Sequence, residues 1–237
     1  MPEEQLPETM NAVTAVNLAL RGTEGPVYGP LTFTAPASGL TVLSGRGGSG
    51  RTALALTLAG RMASTTGEVT ILGETKRSKI RQMVAVAGVE QIDALDRDVT
   101  IGTALSEHLN WSRWWWTVPR RASQEYYEQL CGRVFGQRDL PPLNSYVSQI
   151  SALDRILIRI ALALHPASHQ PIRMLVMDDL EQVRELDDRL QLVQILMELS
   201  QVIPVIVMAV NPLPPSPGVE YHLIELHTTT PAKEQQQ

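Results

Sequence analysis

The stretch GRGGSGRT, Gly45-Arg46-Gly47-Gly48-Ser49-Gly50-Arg51-Thr52, decides how the rest of the chain is read. A glycine, four residues, a second glycine, a basic residue and a threonine make the spacing of a phosphate-binding loop, with arginine where that loop normally carries lysine. "LTVLS" before it reads as a buried strand, and the Ala- and Leu-rich segment from Thr52 to Met62 suits a helix. In that context Gly47, Gly48 and Gly50 let backbone N–H groups converge on a phosphate at the positive end of a helix, and Thr52 is placed to ligate Mg²⁺.

Further out, "LTFTAP" at Leu31 to Pro36 alternates like a half-buried strand, and "GEVTILGE" at Gly67 to Glu74 is a strand between glycines. "RQMVAVAGVEQ" brings another, ending near Gln91. "RMLVMDD" and "VIPVIVMAV" are short apolar runs of the kind that parallel strands make when both faces are covered. Between them a helix is expected from about Leu180 to Ser200, with Val183, Leu186, Leu190, Val193 and Met197 in 3-4-3-4 spacing. Two heptads are too few for a coiled coil, so that face is assigned to packing on the sheet. "KRSKIR" at Lys76 to Arg81 reads as a solvated helix face. Residues 93 to 164, with long amphipathic patterns and few β-branched runs, read as an inserted helical subdomain. Asp178, at the end of an apolar strand more than a hundred residues after the loop, completes a P-loop nucleoside-triphosphatase pattern and would support the metal.

Composition narrows the partners. A net charge of -5 argues against a broad nucleic-acid footprint. One cysteine, Cys131, rules out an internal disulfide framework and a zinc-type cysteine cluster. His165 and His169 flank a proline-containing loop without carboxylate or cysteine spacing around them, which gives no metal site. "MPEEQLPETM" lacks the basic and apolar segments of a signal peptide, and "VIPVIVMAV" is far short of the ~20 residues that span a bilayer. These features fit a cytoplasmic chain that meets a membrane through a partner. Residues 1–10 and 229–237 are polar and read as flexible tails around a nucleotide-binding domain over 11–228.

The order of motifs resembles the nucleotide-binding domain of ATP-binding cassette (ABC) transporters over about Val13 to Leu226. The resemblance rests on "GLTVLSGRGGSGRTALALTLAG", "GEVTILG", Gln91 some nine residues before "VTIGTAL", "ISALDRILIRIALAL" at the place of the signature helix, "LVMDD", and "VIVMAVN" as the last strand. It implies an α/β fold with a mainly parallel central sheet, an N-terminal antiparallel β subdomain and the inserted helical subdomain. It implies ATP and Mg²⁺ as ligands: Gly45 to Thr52 on phosphate, Gln91 reaching metal and attacking water, Asp178 supporting Mg²⁺, and Asp179 at the place of the catalytic glutamate. It also implies a dimer, with itself or a related subunit, in which the turn Ser151-Ala152-Leu153-Asp154 of one copy faces the nucleotide of the other.

Several positions depart from that pattern. The fork of Arg51 is wider than an ammonium and does not simply fill the lysine pocket. Asp179 is one methylene shorter than glutamate, and a misplacement of about 1 Å costs on the order of a hundredfold in rate. Val210 stands where the family has its switch histidine. Ala152 and Leu153 replace two glycines, and Asp154 replaces a glutamine; side chains there are expected to crowd the approach to phosphate, and the carboxylate to repel it. The adenine-stacking position stays open between Arg21 and Tyr28. The expected activity is nucleotide binding with weak or absent hydrolysis; a working ATPase driving export and a nucleotide-free adaptor are the alternatives. "WSRWWW" places Trp111, Trp114, Trp115 and Trp116 within six residues, in the region where such domains receive a short helix of an integral membrane subunit, and Arg113, Arg120 and Arg121 add to an interaction composition.

Overall fold

The computed structural model describes residues 11–111, 116, 118–168, 170–213 and 220–226. Both expected tails, Trp114 and Trp115 lie outside the described residues, the C-terminal one already from residue 227. The chain begins with a long hairpin, β1 (Asn11–Gly22) and β2 (Gly25–Pro36), in which a two-residue turn lets the second strand fold back antiparallel on the first. β4 (Thr66–Ile71) joins β1 from the other side, giving a three-stranded antiparallel sheet in the order β2-β1-β4. Only Leu31 to Pro36 of this hairpin alternates clearly; bulges break the period elsewhere in β1, which the sequence pattern therefore hides.

The second sheet has five parallel strands in the order β5-β6-β7-β3-β8. They are β3 (Leu40–Ser44), β5 (Val84–Ala87), β6 (Met174–Met177), β7 (Val205–Ala209) and β8 (Tyr221–Glu225). The last strand is thus β8, one beyond "VIVMAVN"; its half-exposed edge position gives it no continuous apolar run to read. Alternate residues of the inner strands face opposite cores. Val42, Leu175, Met177 and Val207 pack with the helices α5 (Gln124–Phe135), α6 (Ala152–Leu164) and α7 (Leu186–Ser200). Leu43, Val176, Ile206 and Met208 pack with α1 (Arg51–Leu58), α2 (Arg77–Met83) and the antiparallel sheet. Parallel strands covered on both sides carry the apolar runs seen in the sequence.

Helices α3 (Glu90–Asp93) and α4 (Ile101–Trp111) precede α5 and α6, so the regular elements described between β5 and β6 are helices. Ser123 and Ser151 cap α5 and α6 by accepting from the amides of Tyr126 and Asp154, at 3.1 and 2.9 Å. The exposed Arg77, Lys79 and Arg81 on α2 form the solvated face, with Ile80 turned inward. Cys131 is buried in the α5 core, and burial pushes its thiol up to about 12, which keeps it unreactive. Among the described residues no helix is long and apolar enough to cross a membrane.

Two helix boundaries differ from expectation. α1 stops at Leu58, where Ala59 and Gly60 turn the chain. α7 starts at Leu186, because residues after β6 first form a short 3₁₀ turn, Leu180–Gln182. With that start the buried face of α7 is Leu192, Val193, Ile195, Leu196 and Leu199. Leu186 is 60% exposed and Leu190 is also exposed, so of the 3-4-3-4 set only Val183, Val193 and Met197 pack on the core.

Candidate nucleotide site

The site is built where β3 ends. Gly45 donates its N–H to Ala209 O at 3.0 Å, which fixes the start of the loop against the end of β7. The loop closes on itself through Ser49 N–H to Arg46 O at 3.1 Å, and Gly50 caps α1 in the left-handed region at φ 75°. Only glycine fits there, since a Cβ on Gly50 would lie 2.4 Å from Val27 O. A Cβ on Gly47 or Gly48 would meet nothing within 4 Å, so those two positions face open space. Arg46 is exposed. Ser49 is buried, and its Oγ has no hydrogen-bond partner among the described residues.

Arg51 is turned back on the loop: its guanidinium donates to the carbonyl of Gly45. Thr52, the next residue, is exposed, and its hydroxyl lies near enough to the carboxylate of Asp178 to favour the charged form. Asp178 is only 4% exposed, and its Oδ1 has no hydrogen-bond partner. Burial raises its pKa above the ordinary 3.8; the Thr52 hydrogen bond and the charge of Arg51 oppose the shift, and Asp179 adds to it. A buried carboxylate oxygen left without a partner beside a threonine hydroxyl is a donor set of hard oxygens, which fits Mg²⁺.

Asp179 follows in the left-handed region, at φ 52° and ψ 74°, an uncommon conformation for a residue other than glycine. Gln91 is exposed on α3, and among the described residues no hydrogen bond at Thr52 or Asp178 reaches it. At the end of β7 the Val210 N–H donates to Glu181 Oε1 at 2.7 Å, while Glu181 Oε2 is buried without a hydrogen-bond partner. A carboxylate therefore sits beside Val210, the position at which the family pattern carries an imidazole.

Tyr28 is buried and gives its hydroxyl to Thr57 Oγ1 at 2.8 Å, so it is a core residue and not a stacking surface. Arg21 is exposed at the far end of β1. The turn before α6 also differs from expectation. Leu153 is fully buried in the core and does not project at a facing phosphate. The Asp154 carboxylate is paired with Arg138 at 2.7 Å, and Arg138 also reaches Gln191 at 3.0 Å, so the carboxylate does not stand uncompensated. Ser151 spends its hydroxyl on the helix cap. Ser151→Ala is expected to cost about 1 kcal/mol, read as a fall of about 3 °C in Tm, without changing nucleotide affinity of the single chain.

Four residues at this site escaped the sequence reading: Asp93, Arg159, Glu181 and Gln182. Arg159 was visible as the one charge inside "ILIRIALAL", and a buried arginine demands partners. The others carry no comparable signal.

The fold is matched among solved structures. The chain superposes on cbiO1 from Clostridium perfringens, part of the ABC transporter complex cbiONQ, with a TM-score of 0.65 at 13% identity, covering 85% of this chain and 79% of that one. The fold is that of ABC transporter ATP-binding domains. A protein from Pyrococcus furiosus assigned as the ATP-binding protein of an ABC transporter matches with a TM-score of 0.65 at 16% identity, over 91% of this chain and 97% of that chain. A bacterial Atm1-family ABC exporter with ATP bound matches at 0.61 and 15% identity, over 88% of this chain and 36% of the exporter. No family model and no curated protein matches the sequence, so the ABC likeness is carried by the fold.

Proposed function

We propose that the chain is a nucleotide-binding subunit of an ABC-type membrane transport complex, which binds Mg-ATP or Mg-ADP and hydrolyses it weakly or not at all. The observation that carries this reading is the buried Asp178 carboxylate, with one oxygen left without a partner, beside Thr52 at the end of a glycine loop. A buried carboxylate oxygen without a partner is costly, and a metal–phosphate ligand would offset that cost. When bound, Mg²⁺ neutralises phosphate charge and orients the terminal phosphoryl group. The loop amides from Gly47 to Thr52 hold phosphate, the Thr52 hydroxyl and Asp178 hold the metal side, and Arg46 and Arg51 supply positive charge.

The same residues account for slow chemistry. Arg51 must leave the Gly45 carbonyl before it serves a ligand. Asp179 is the carboxylate placed to orient water, and Val210 brings only a backbone N–H, already given to Glu181. The catalytic set is therefore short of an imidazole and has a shortened base.

The partner is an integral membrane subunit, reached through the exposed Trp111 and Trp116, 79% and 62% accessible. A cavity of about 370 Å³ between α4, α5 and the end of α6 is lined by Leu109, two residues before Trp111, and by Tyr126, Leu130, Leu164 and Pro166. A second copy or a related subunit supplies the facing signature turn, and the complex sits on the cytoplasmic side of the membrane. Calorimetric titration with Mg-ATP tests the reading: saturable binding is expected, lost or weakened at least tenfold in Thr52→Ala, with no phosphate release from the same sample. Release at an ordinary ATPase rate would return the exporter-driving enzyme, and absence of binding to the folded chain would make it an adaptor.

A further inference from the structure

We propose that Arg159 and Gln182 are positioning residues that tie α6 and the α3 turn to the backbone of Asp178 and Asp179. The proposal rests on the nucleotide reading for its metal role and on geometry alone for the tie. Arg159 is buried in α6 and uses its whole fork. Its Nε and one terminal nitrogen hold the two oxygens of Asp93 at 3.0 and 2.7 Å, and the other terminal nitrogen holds Gln182 Oε1 at 2.8 Å.

A guanidinium only donates, so Gln182 must present its oxygen to Arg159 and its amide nitrogen the other way. That nitrogen meets three carbonyls: Gly88 at 2.6 Å, and Asp178 and Asp179 at 3.1 Å each. Gly88 closes the ring by donating its N–H to Asp93 Oδ2 at 2.9 Å. It also lies so near the turn that a Cβ on it would sit 2.2 Å from Asp178 O. Three segments far apart in sequence thus share one polar ring, and the ring holds the two peptide groups that carry the candidate metal and water carboxylates.

Supporting groups of this kind set the orientation of a metal ligand, and their loss costs about 10- to 100-fold in metal affinity. The ring also gives displacement of α6 a direct route to Asp178, because Arg159 cannot move without pulling Gln182 from the carbonyls. Lysine at 159 keeps the charge beside Asp93, but one ammonium cannot span both Asp93 oxygens and Gln182. Glutamate at 182 keeps the partner of Arg159 and removes the side-chain donor to all three carbonyls, leaving the Gln182 backbone N–H on Asp179 O at 3.1 Å.

Hydrogen exchange of the full chain without nucleotide, followed by mass spectrometry, compares wild type with Arg159→Lys and Gln182→Glu. Exchange in residues 174–183 is expected to quicken about tenfold in both, with residues 40–58 unchanged. Titration with Mn²⁺ and ATP is expected to show about tenfold weaker metal affinity, with nucleotide affinity in chelator unaltered. Unchanged exchange in 174–183, or exchange that quickens equally in 40–58, overturns the tie. Metal and metal-free affinities falling in parallel overturn the positioning role. A wild-type chain that binds no Mn-nucleotide defeats the nucleotide reading and the metal role together, while the exchange result still decides the tie.

Discussion

Gly50→Val will cost the chain about 4 kcal/mol and release the phosphate loop from the antiparallel sheet. A β-branched residue in the left-handed region costs about 1–2 kcal/mol, and the contact is worse. Its Cβ would stand 2.4 Å from Val27 O and 2.9 Å from Tyr28 Cβ, against backbone that belongs to β2 and cannot yield alone. Overpacking of that kind adds about 1–3 kcal/mol. Thermal denaturation should show a fall of about 10 °C in Tm. Gly47→Ala is the control, because its Cβ would meet nothing within 4 Å. It should leave Tm within about 1 °C, the scale of a neutral surface change, and weaken phosphate binding by about tenfold, or 1.4 kcal/mol. A Gly50→Val chain that melts like wild type would show that the loop does not depend on this approach.

Asp178→Asn should raise the stability of the nucleotide-free chain at pH 7 and abolish its response to Mg-nucleotide. Asp178 has a folded-state pKa raised above the ordinary 3.8, chiefly by burial. A raised folded value means that its contribution to stability is complete below the unfolded value near pH 4 and disappears as pH rises through the folded value. At pH 7 the wild type therefore carries a destabilising buried charge, next to Asp179 and with Oδ1 unpartnered. The neutral amide should recover about 1 kcal/mol and flatten the profile of Tm against pH above pH 4. Against this, wild type gains about 2.7 kcal/mol when Mg-nucleotide stands at a hundred times its Kd, and the variant gains nothing through the metal. Equal ligand-induced Tm shifts in the two proteins would remove Asp178 from the metal site.

Much of the fold was legible because its signals are local. A continuous apolar run bounded by glycine marks β3, and the runs at β6 and β7 mark strands covered on both faces. The loop with φ-positive Gly48 and Gly50 reads directly from its glycines. β1 did not read, because its bulges break the alternation, and β8 did not, because an edge strand needs only half an apolar pattern. α7 misled by its own regularity: Leu186 and Leu190 keep the spacing but lie on the open side, and only the packing of the following residues on the sheet decides the face. In the site, Thr52 and Asp178 were legible from motif spacing, and their contact was not. The partners of Arg159, and the inward turn of Leu153, depend on neighbours remote in sequence. A motif shows which residue types are present at a site; it does not show what each side chain already holds.

The place of β3 in its sheet has a consequence for how the molecule is born. This strand lies between β7 and β8, with Leu40 paired to Val205 on one side and to Tyr221 on the other. On the ribosome it emerges early and waits with both edges bare until nearly the whole chain has been translated, an exposure that invites pairing with other chains. The Gly45 amide has no Ala209 carbonyl to meet during that time. The glycine loop therefore reaches its final anchorage only after β7 has been made, and β3 loses its last bare edge only when β8 joins it.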